Sequence, residues 1–257
     1  MTPVLLAAHG SRDPRAARAT RALARAVAAA RPGVDVRASY LDHTLPRPGQ
    51  VLSALEAAGH DRVTLVPLLL TSAYHGRVDI PDVLRAARAA GLRVPVAVAD
   101  VLGPRAGGPV DDSLLAGLRR RLAAAGSGFD AVVLAAAGTR DAAARQTVAR
   151  AAGALGESLG VPASVAYASA AAPTGAEAVS ELRAAGAERI GVAAYFLAPG
   201  LLYDTVTRSA LGAGAVAAAQ PLEGTPELAR LVLARADVAD RPAAADADLS
   251  AAAATAA

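Results

Sequence analysis

The chain has 257 residues and contains no cysteine, no tryptophan and no lysine. Without cysteine it has no disulfides, thiolate metal sites or cysteine nucleophiles, so histidine and carboxylate side chains remain as candidate metal ligands. Its positive charge comes from arginines that are scattered along the chain, and the net charge is only +3. Aromatic residues, on which nucleic-acid bases stack, make up 3% of the sequence. We therefore predict no nucleic-acid partner.

Long apolar runs are also missing from the sequence. No run approaches the roughly 20 residues that a helix needs to span a bilayer, so we predict no membrane partner. Residues 1–10 lack the basic segment of a secretory signal and turn polar after a few apolar positions. We expect a cytoplasmic protein, long enough for two domains of roughly 100 to 150 residues each.

Short apolar runs alternate with helical patterns in the first half of the chain. An apolar run at residues 2–8 precedes arginines spaced at helical intervals over residues 14–30, and strand and helix alternate four times before residue 125. This order predicts a parallel sheet with helices on both faces. After the third strand, which opens residues 63–81, we predict a polar loop and then a helix that begins at Pro81.

The second half of the chain repeats the first. The sequence AHGSRD that begins at Ala8 recurs as AAGTRD from Ala136, 128 residues later. The sequence AAGHDRV that begins at Ala57 recurs as AAGAERI from Ala184, 127 residues later. Two distant matches with nearly the same offset predict two tandem copies of one α/β domain, joined near residues 126–128.

Two histidines follow strands of the first copy, His9 after the first strand and His75 in the predicted loop after the third. In the doubly wound order 2-1-3-4 these strands are neighbours, so both imidazoles are expected in one crevice, close enough to share a divalent metal ion. Imidazole also accepts protons near neutral pH. The second copy has Ala137 and Leu202 at the matching positions. We therefore predict one active site, placed in the first copy and walled by the second.

Other polar residues leave alternatives open. Asp42 and His43 follow the second strand and could add a carboxylate or a third imidazole, whereas His60 precedes a strand and is expected at the surface, at the opposite end of the sheet. The HGS sequence after a strand could also form an anion nest for phosphate, with His9 as nucleophile or acid in a phosphoryl-transfer enzyme. Against this alternative, the sequence has no glycine-rich P-loop and no evident carboxylate cluster for magnesium.

The strand that ends in HGSRDP at residues 9–14, followed by PLLLTSAYHGRVDIP at residues 67–81, resembles the sirohydrochlorin chelatase family. The resemblance covers residues 1–235, and the tandem copies resemble the long form of the family. It implies an α/β fold of two flavodoxin-like, chelatase-like domains, each a four-stranded parallel sheet with helices on both faces, around an active cleft. The domains expected are residues 1–125 with the active-site histidines, residues 126–235 without them, and a low-complexity, disordered tail at residues 236–257.

The resemblance implies a lyase, a class II metal chelatase that inserts Fe²⁺ or Co²⁺ into sirohydrochlorin with release of two protons, in siroheme or cobalamin biosynthesis. His9 and His75 align with the family's two metal-handling histidines and are expected to be both metal ligands and catalytic residues. No permanently bound cofactor is implied, since the metal ion is a substrate like the tetrapyrrole, and we expect a monomer. A non-catalytic carrier of metal or tetrapyrrole remains an alternative. The residues expected to contact the tetrapyrrole are Ser11, Arg12, Asp42, Arg77 and Arg140, the arginines by pairing with its carboxylates.

Overall fold

The computed structural model describes residues 1–71, 74–105 and 107–241, with the exception of the side chains of residues 74–79. The first copy consists of β1 Val4–Ala8, α1 Pro14–Ala30, β2 Val36–Tyr40, α2 Pro48–Ala57, β3 Val63–Pro67, α3 Tyr74–Ala89, β4 Val96–Val98 and α4 Asp112–Ala125. The second consists of β5 Ala131–Ala136, α5 Ala142–Leu159, β6 Ala163–Tyr167, α6 Gly175–Ala184, β7 Ile190–Ala194, α7 Leu201–Gly212, β8 Ala217–Ala218 and α8 Pro226–Asp240.

Each copy contains one parallel, four-stranded sheet, and the two sheets have the same strand order. The order is β2-β1-β3-β4 in the first copy and β6-β5-β7-β8 in the second. The predicted α/β fold, its strand order 2-1-3-4 and its tandem repeat are therefore confirmed. The central strands carry the longest apolar runs because helices cover both of their faces, and every residue of β3 and of β5 is buried.

The bounds of α1 follow from its end residues. Asp13 is the N-cap and its carboxylate accepts a hydrogen bond from the backbone N–H of Arg15, while Pro14 occupies the first helical position. Leu23 and Val27, one turn apart, face the core. The helix therefore begins where the sequence predicts, directly after the loop that carries His9.

The start of α3 differs from the prediction. The helix begins at Tyr74 and contains Pro81 in its interior, so the prediction of a loop up to Pro81 was wrong. A proline inside a helix removes one hydrogen bond and its ring crowds the carbonyl of residue i−4, so other contacts must hold the preceding turn in helical form. Ile80, directly before the proline, is 2% exposed and anchors this turn in the core. His75 thus lies in the first turn of a helix, and Leu202 lies in the equivalent turn of α7.

The last helix of each copy packs on the sheet of the other copy. Helix α4 packs on β7 and on α8, while α8 packs on α1 and β3. Buried side chains of both sheets and of these helices form a single cluster, whose members include Leu6, Leu134, Leu118 and Leu231. The proposed boundary near residue 126 divides the two copies in sequence, but each copy depends on a helix from its neighbour.

Helix α8 extends to Asp240, past the predicted beginning of the tail at residue 236. Ala236 is 3% exposed, and Asp237 forms an ion pair with Arg31, which directly follows α1, so these residues have packing and charge partners that a disordered segment lacks. The remainder of the predicted tail, residues 242–257, lies outside the described residues. Among the described residues, none of the helices combines the length and the apolar character needed to cross a bilayer.

Candidate active site

A cavity of about 680 Å³ lies between the two sheets, at the carboxyl ends of their strands. The loops that follow β1, β3, β5 and β7 form its walls, through residues 9–12, 68–71, 136–139 and 196–200, together with the first turn of α7. Its volume is within the roughly 300 to 1,000 Å³ that is usual for small-molecule sites. The predicted cleft between the two copies is therefore present, on the edge where open α/β sheets hold their ligands.

The loop that carries His9 is held by close backbone packing. Gly10 has a φ angle of 93°, and a Cβ atom at this position would lie 1.9 Å from the carbonyl oxygen of Asp42. The backbone N–H of Asp42 donates to the carbonyl oxygen of His9 at 2.7 Å. Only glycine fits such an approach, which brings the loops after β1 and β2 together.

His43 is part of the site, although the predicted site residues did not include it. Its ring lies 6.4 Å from the ring of His9, measured between centroids, with the two planes at 84°. Both residues line the cavity. The two histidines are distant in sequence, and they meet because β2 is the neighbour of β1 and because Gly10 allows the loops to touch. Their position after neighbouring strands was the sequence signal for this pair.

Asp42 is directed at His43. One carboxylate oxygen accepts the backbone N–H of His43 at 2.7 Å, and the other lies 3.4 Å from its Nε2 atom. The backbone hydrogen bond is the main cause that lowers the pKa of Asp42, with added attraction from the charges of His43, Arg47 and His9. Asp42 is not among the described residues that line the cavity. This geometry favours a role in orienting His43, while the predicted contact of Asp42 with substrate remains a prediction.

Ser11 and Arg12, for which we predict contact with substrate, both line the cavity. The Ser11 hydroxyl accepts a hydrogen bond from the backbone N–H of Asp13 at 3.0 Å, which stabilises the turn into α1. Arg12 is exposed, and the ion-pair partner of Asp13 is Arg15. Arg12 thus lies at the cavity, and a guanidinium can pair with a carboxylate of a ligand.

Three further site residues were predicted, and the structure describes the side chain of one of them, Arg140. Arg140 is exposed and lies outside the lining, although its loop neighbour Thr139 is part of it. His75 and Arg77 belong to the first turn of α3, and their side chains lie outside the described part of the structure. Their roles as metal-handling and substrate-binding residues remain predictions.

An ion-pair network connects the two copies beside the cavity. The Arg15 guanidinium lies 2.6 Å from the carboxylate of Asp13 and 2.5 Å from that of Asp204 in the first turn of α7. These two carboxylates hold the pKa of Arg15 above its usual range. The network fixes the beginning of α7 relative to the beginning of α1, and therefore one wall of the cavity relative to the other.

Tyr195 makes a second connection between the copies. Its side chain is 4% exposed, burial raises the pKa of its phenol, and its hydroxyl donates to the carbonyl oxygen of Leu70 at 3.0 Å. Leu70 belongs to the loop after β3 and lines the cavity. Because the phenol is buried and stays neutral, this contact positions the loop that leads toward α3.

The described residues contain no group of three or more histidine, aspartate or glutamate side chains arranged to hold a metal ion. They do contain the pair formed by His9 and His43. Two imidazoles leave most positions of a divalent ion open, which suits an ion that must be passed on to another ligand.

Comparisons with known proteins give a consistent picture. The CbiX family model matches residues 3–109 and 131–239, that is, both copies. A curated sirohydrochlorin cobaltochelatase from Methanococcoides burtonii is 29% identical over 82 residues, which make up 32% of this chain and 63% of that protein. The chain thus aligns with less than two thirds of the length of this relative.

Among solved structures, SirB from Bacillus subtilis with Fe³⁺ has a TM-score of 0.75 and 22% identity, over 93% of this chain and 96% of its own. The sirohydrochlorin chelatase SirB from Bacillus subtilis subspecies spizizenii in complex with cobalt also has a TM-score of 0.75, with 20% identity over 94% and 97%. At this level of identity, the two structures establish the shared fold.

Proposed function

Because this chain belongs to the CbiX family, we propose that it is a sirohydrochlorin chelatase, which inserts Fe²⁺ or Co²⁺ into sirohydrochlorin and releases two protons. The observation that carries the proposal is the cavity between the copies, in which His9 and His43 form an imidazole pair opposite an apolar wall. A flat macrocycle with carboxylates at its edge fits such a site, with a metal ion held on one side of it.

The reaction exchanges two protons for one divalent ion. Two inner N–H bonds of the macrocycle break, their electron pairs stay on nitrogen and bind the metal, and the ion gives up water and protein ligands. No electron is transferred, and the charge of the ring with its contents does not change. A chelatase therefore needs a weak metal site and a proton acceptor beside the ring nitrogens, and neutral imidazole provides both functions.

We assign the metal-handling step to His9, together with His75 as its predicted partner on α3. His9 lies at the cavity and is exposed, so it can bind an ion from solvent. When the ion moves to the ring nitrogens, the imidazole that it leaves can accept a pyrrole proton and pass it to water. His43 is placed to share this work, with its ring held by Asp42.

Arg12 is the one arginine among the described residues that line the cavity, so we assign it to hold the substrate. Pairing between guanidinium and carboxylate would orient the macrocycle by its edge. Arg77 keeps its predicted role in substrate binding. Arg140 lies outside the lining, so we do not assign it a contact with the substrate.

The choice of metal decides the pathway, which would be siroheme synthesis for iron and cobalamin synthesis for cobalt. Imidazole binds both divalent ions, and although Co²⁺ binds such sites more tightly than Fe²⁺, geometry and metal availability rather than affinity decide which ion is used. We therefore propose that both ions are inserted.

The test is the visible absorption spectrum of sirohydrochlorin mixed anaerobically with Co²⁺ or Fe²⁺, with and without the protein. We expect the protein to accelerate conversion and His9→Ala to lower the rate by roughly 100-fold or more, as expected for loss of a proton acceptor in the reaction. His60→Ala is the matched control, since His60 precedes β3 at the other end of the sheet, near Asp35.

Each outcome of this experiment has a definite meaning. Binding of the pigment without acceleration would replace the chelatase by a tetrapyrrole carrier. Equal rates for His9→Ala and the wild type would remove His9 from the reaction, and an equal loss in His60→Ala would point to a general effect on folding.

A further inference from the structure

The two walls of the cavity have different chemistry. The first copy contributes the imidazole and guanidinium side chains of the described lining, His9, His43 and Arg12, next to the apolar residues 68–70. The second contributes mainly apolar groups, among them Ala136, Ala137, Phe196, Leu197, Leu201 and Leu202. A ligand that fills this cavity therefore needs one apolar face, and the structure indicates which side of the cavity receives it.

Leu201 and Leu202 are the exposed part of the apolar wall. They begin α7, and they are 77% and 41% exposed, respectively, although both line the cavity. Adjacent exposed leucines at the edge of a cavity gain free energy when an apolar surface covers them. Exposed leucines that line a cavity offer a surface that an apolar part of a ligand can cover.

The first turn of α7 is held firmly, so these leucines have a fixed position. The next residue, Tyr203, is buried, donates its hydroxyl hydrogen bond to Ala219 at 3.0 Å and packs its ring on Phe196. Asp204 pairs with Arg15 of α1. The same turn thus carries a buried anchor, a charged link to the first copy and two exposed leucines.

We propose that Leu201 and Leu202 form an apolar lip that packs against one face of the tetrapyrrole ring and turns the other face toward His9 and His43. This inference rests on the proposed function and assigns positioning residues for it. The metal ion then enters the ring from the side of the first copy. The position of Leu202 supports this division, because it is the second residue of α7, as His75 is the second residue of α3. The second residue of the helix that follows the third strand of each copy is thus a histidine in the first copy and, in the second, a leucine that we propose contacts the tetrapyrrole ring.

The test is the double variant Leu201→Ser/Leu202→Ser, which is compatible with folding because both side chains are largely exposed. Sirohydrochlorin is titrated without metal to measure its Kd, and initial rates of insertion give KM and kcat. We expect Kd and KM for sirohydrochlorin to increase about tenfold or more, as expected when one or two leucine contacts are lost. The kcat and the KM for the metal ion should stay near the wild-type values, because the imidazoles are untouched.

Leu211→Ser is the matched control, because Leu211 lies on the same helix, is 44% exposed and is outside the cavity lining. Leu201→Met/Leu202→Met should keep the wild-type Kd, since it preserves an apolar surface. The lip is overturned if the double serine variant binds sirohydrochlorin as tightly as the wild type, if kcat falls at unchanged Kd, or if Leu211→Ser has the same effect. Failure of the wild type itself to bind sirohydrochlorin would instead reject the proposed function, and with it the ligand of the lip.

Discussion

The two copies have the same backbone at the cleft and different side chains. The φ angles of Gly10 and Gly138 are 93° and 91°, and those of His43 and Ala170 are 58° and 61°. The left-handed conformation of His43 is thus a property of the repeated scaffold. The comparison separates the positions that build the loops, which are alike in both copies, from histidine positions 9, 43 and 75, where the second copy has Ala137, Ala170 and Leu202.

A hydroxyl residue follows the matching glycine in both copies, and because the two copies are alike here, this hydroxyl is part of the loop scaffold. The Ser11 hydroxyl accepts the N–H of Asp13 at 3.0 Å, and the Thr139 hydroxyl accepts the N–H of Asp141 at 3.1 Å. Both aspartates are N-caps of the following helix. Since the second copy keeps this arrangement without the histidine, the hydroxyl serves the turn first, and its predicted contact with substrate would use its remaining hydrogen-bonding capacity.

The largest effect on stability is expected at two matching glycines, and it should be nearly equal in the two copies. Gly10→Ala and Gly138→Ala should each lower the free energy of unfolding by roughly 2–4 kcal/mol, because the new Cβ adds a backbone clash to an unfavourable φ angle. The Cβ would lie 1.9 Å from the carbonyl oxygen of Asp42 in the first copy and 1.8 Å from that of Ser169 in the second. Urea unfolding of the two variants measures the loss.

Gly59→Ala separates the clash from the backbone conformation. Gly59 has a φ angle of 86°, but a Cβ at this position would have no described atom within 4 Å. Its cost should therefore be only about 1 kcal/mol. If Gly10→Ala destabilises the protein no more than Gly59→Ala, the close approach of the two loops does not constrain the site.

The next prediction concerns a substitution that gives the first copy the residue of the second copy at one position. His43→Ala should reduce the rate of metal insertion about 10- to 100-fold, because it removes the imidazole beside His9. Folding should be unaffected, since Ala170 already has nearly the same φ angle at the matching position of the second copy. Insertion rates and thermal unfolding, measured on the same sample, test both halves of this prediction.

Asp42→Asn distinguishes direct from indirect action at this position. If Asp42 acts by orienting His43, its substitution should reduce the rate less than His43→Ala and have no further effect in the His43→Ala background. Independent and additive losses would instead assign Asp42 a contact of its own with the substrate. An unchanged rate in His43→Ala would remove this histidine from the mechanism.

A structural feature can be predicted from the sequence when its signal lies within the segment that forms it. The apolar runs of β1 and β3 and the cap formed by Asp13 and Pro14 contain their own signals, so strands, strand order and the start of α1 are predictable. Pro81 is compatible with two positions, the first turn of a helix or its interior. The burial of Ile80 favours the interior position, which the sequence alone does not indicate.

The features that the sequence did not predict depend on contacts between distant segments. His43 and His9 follow neighbouring strands, which the sequence predicts, but their pairing also needs Gly10 to let the two loops touch, and no spacing rule contains that close approach. The packing of α4 and α8 on the sheet of the other copy could not be predicted for the same reason. An alternation of strands and helices predicts that a helix covers a sheet, but not which sheet. Arg140 matches Arg12 in the repeat, yet it lies outside the cavity because equal loop sequences need not direct their side chains to the same place.

The smallest expected effect tests whether the copies stabilise each other through the exchanged helices. Asp237 of α8 pairs with Arg31 of the first copy, and this hydrogen-bonded contact lowers the pKa of Asp237 below its ordinary value. Both side chains are partly exposed, so Asp237→Asn should cost only about 0.5–1 kcal/mol at pH 7. Because the folded-state pKa is the lower one, the pair stabilises the protein above the ordinary pKa of aspartate, and this contribution is lost as the pH falls through the folded-state pKa. Wild type and variant should therefore differ in urea unfolding at pH 7 and converge in acid.

Asp82→Asn, which removes a pair with Arg85 within α3, is the control. An equal or larger loss in the control would mean that the contact between copies adds nothing beyond an ordinary surface ion pair.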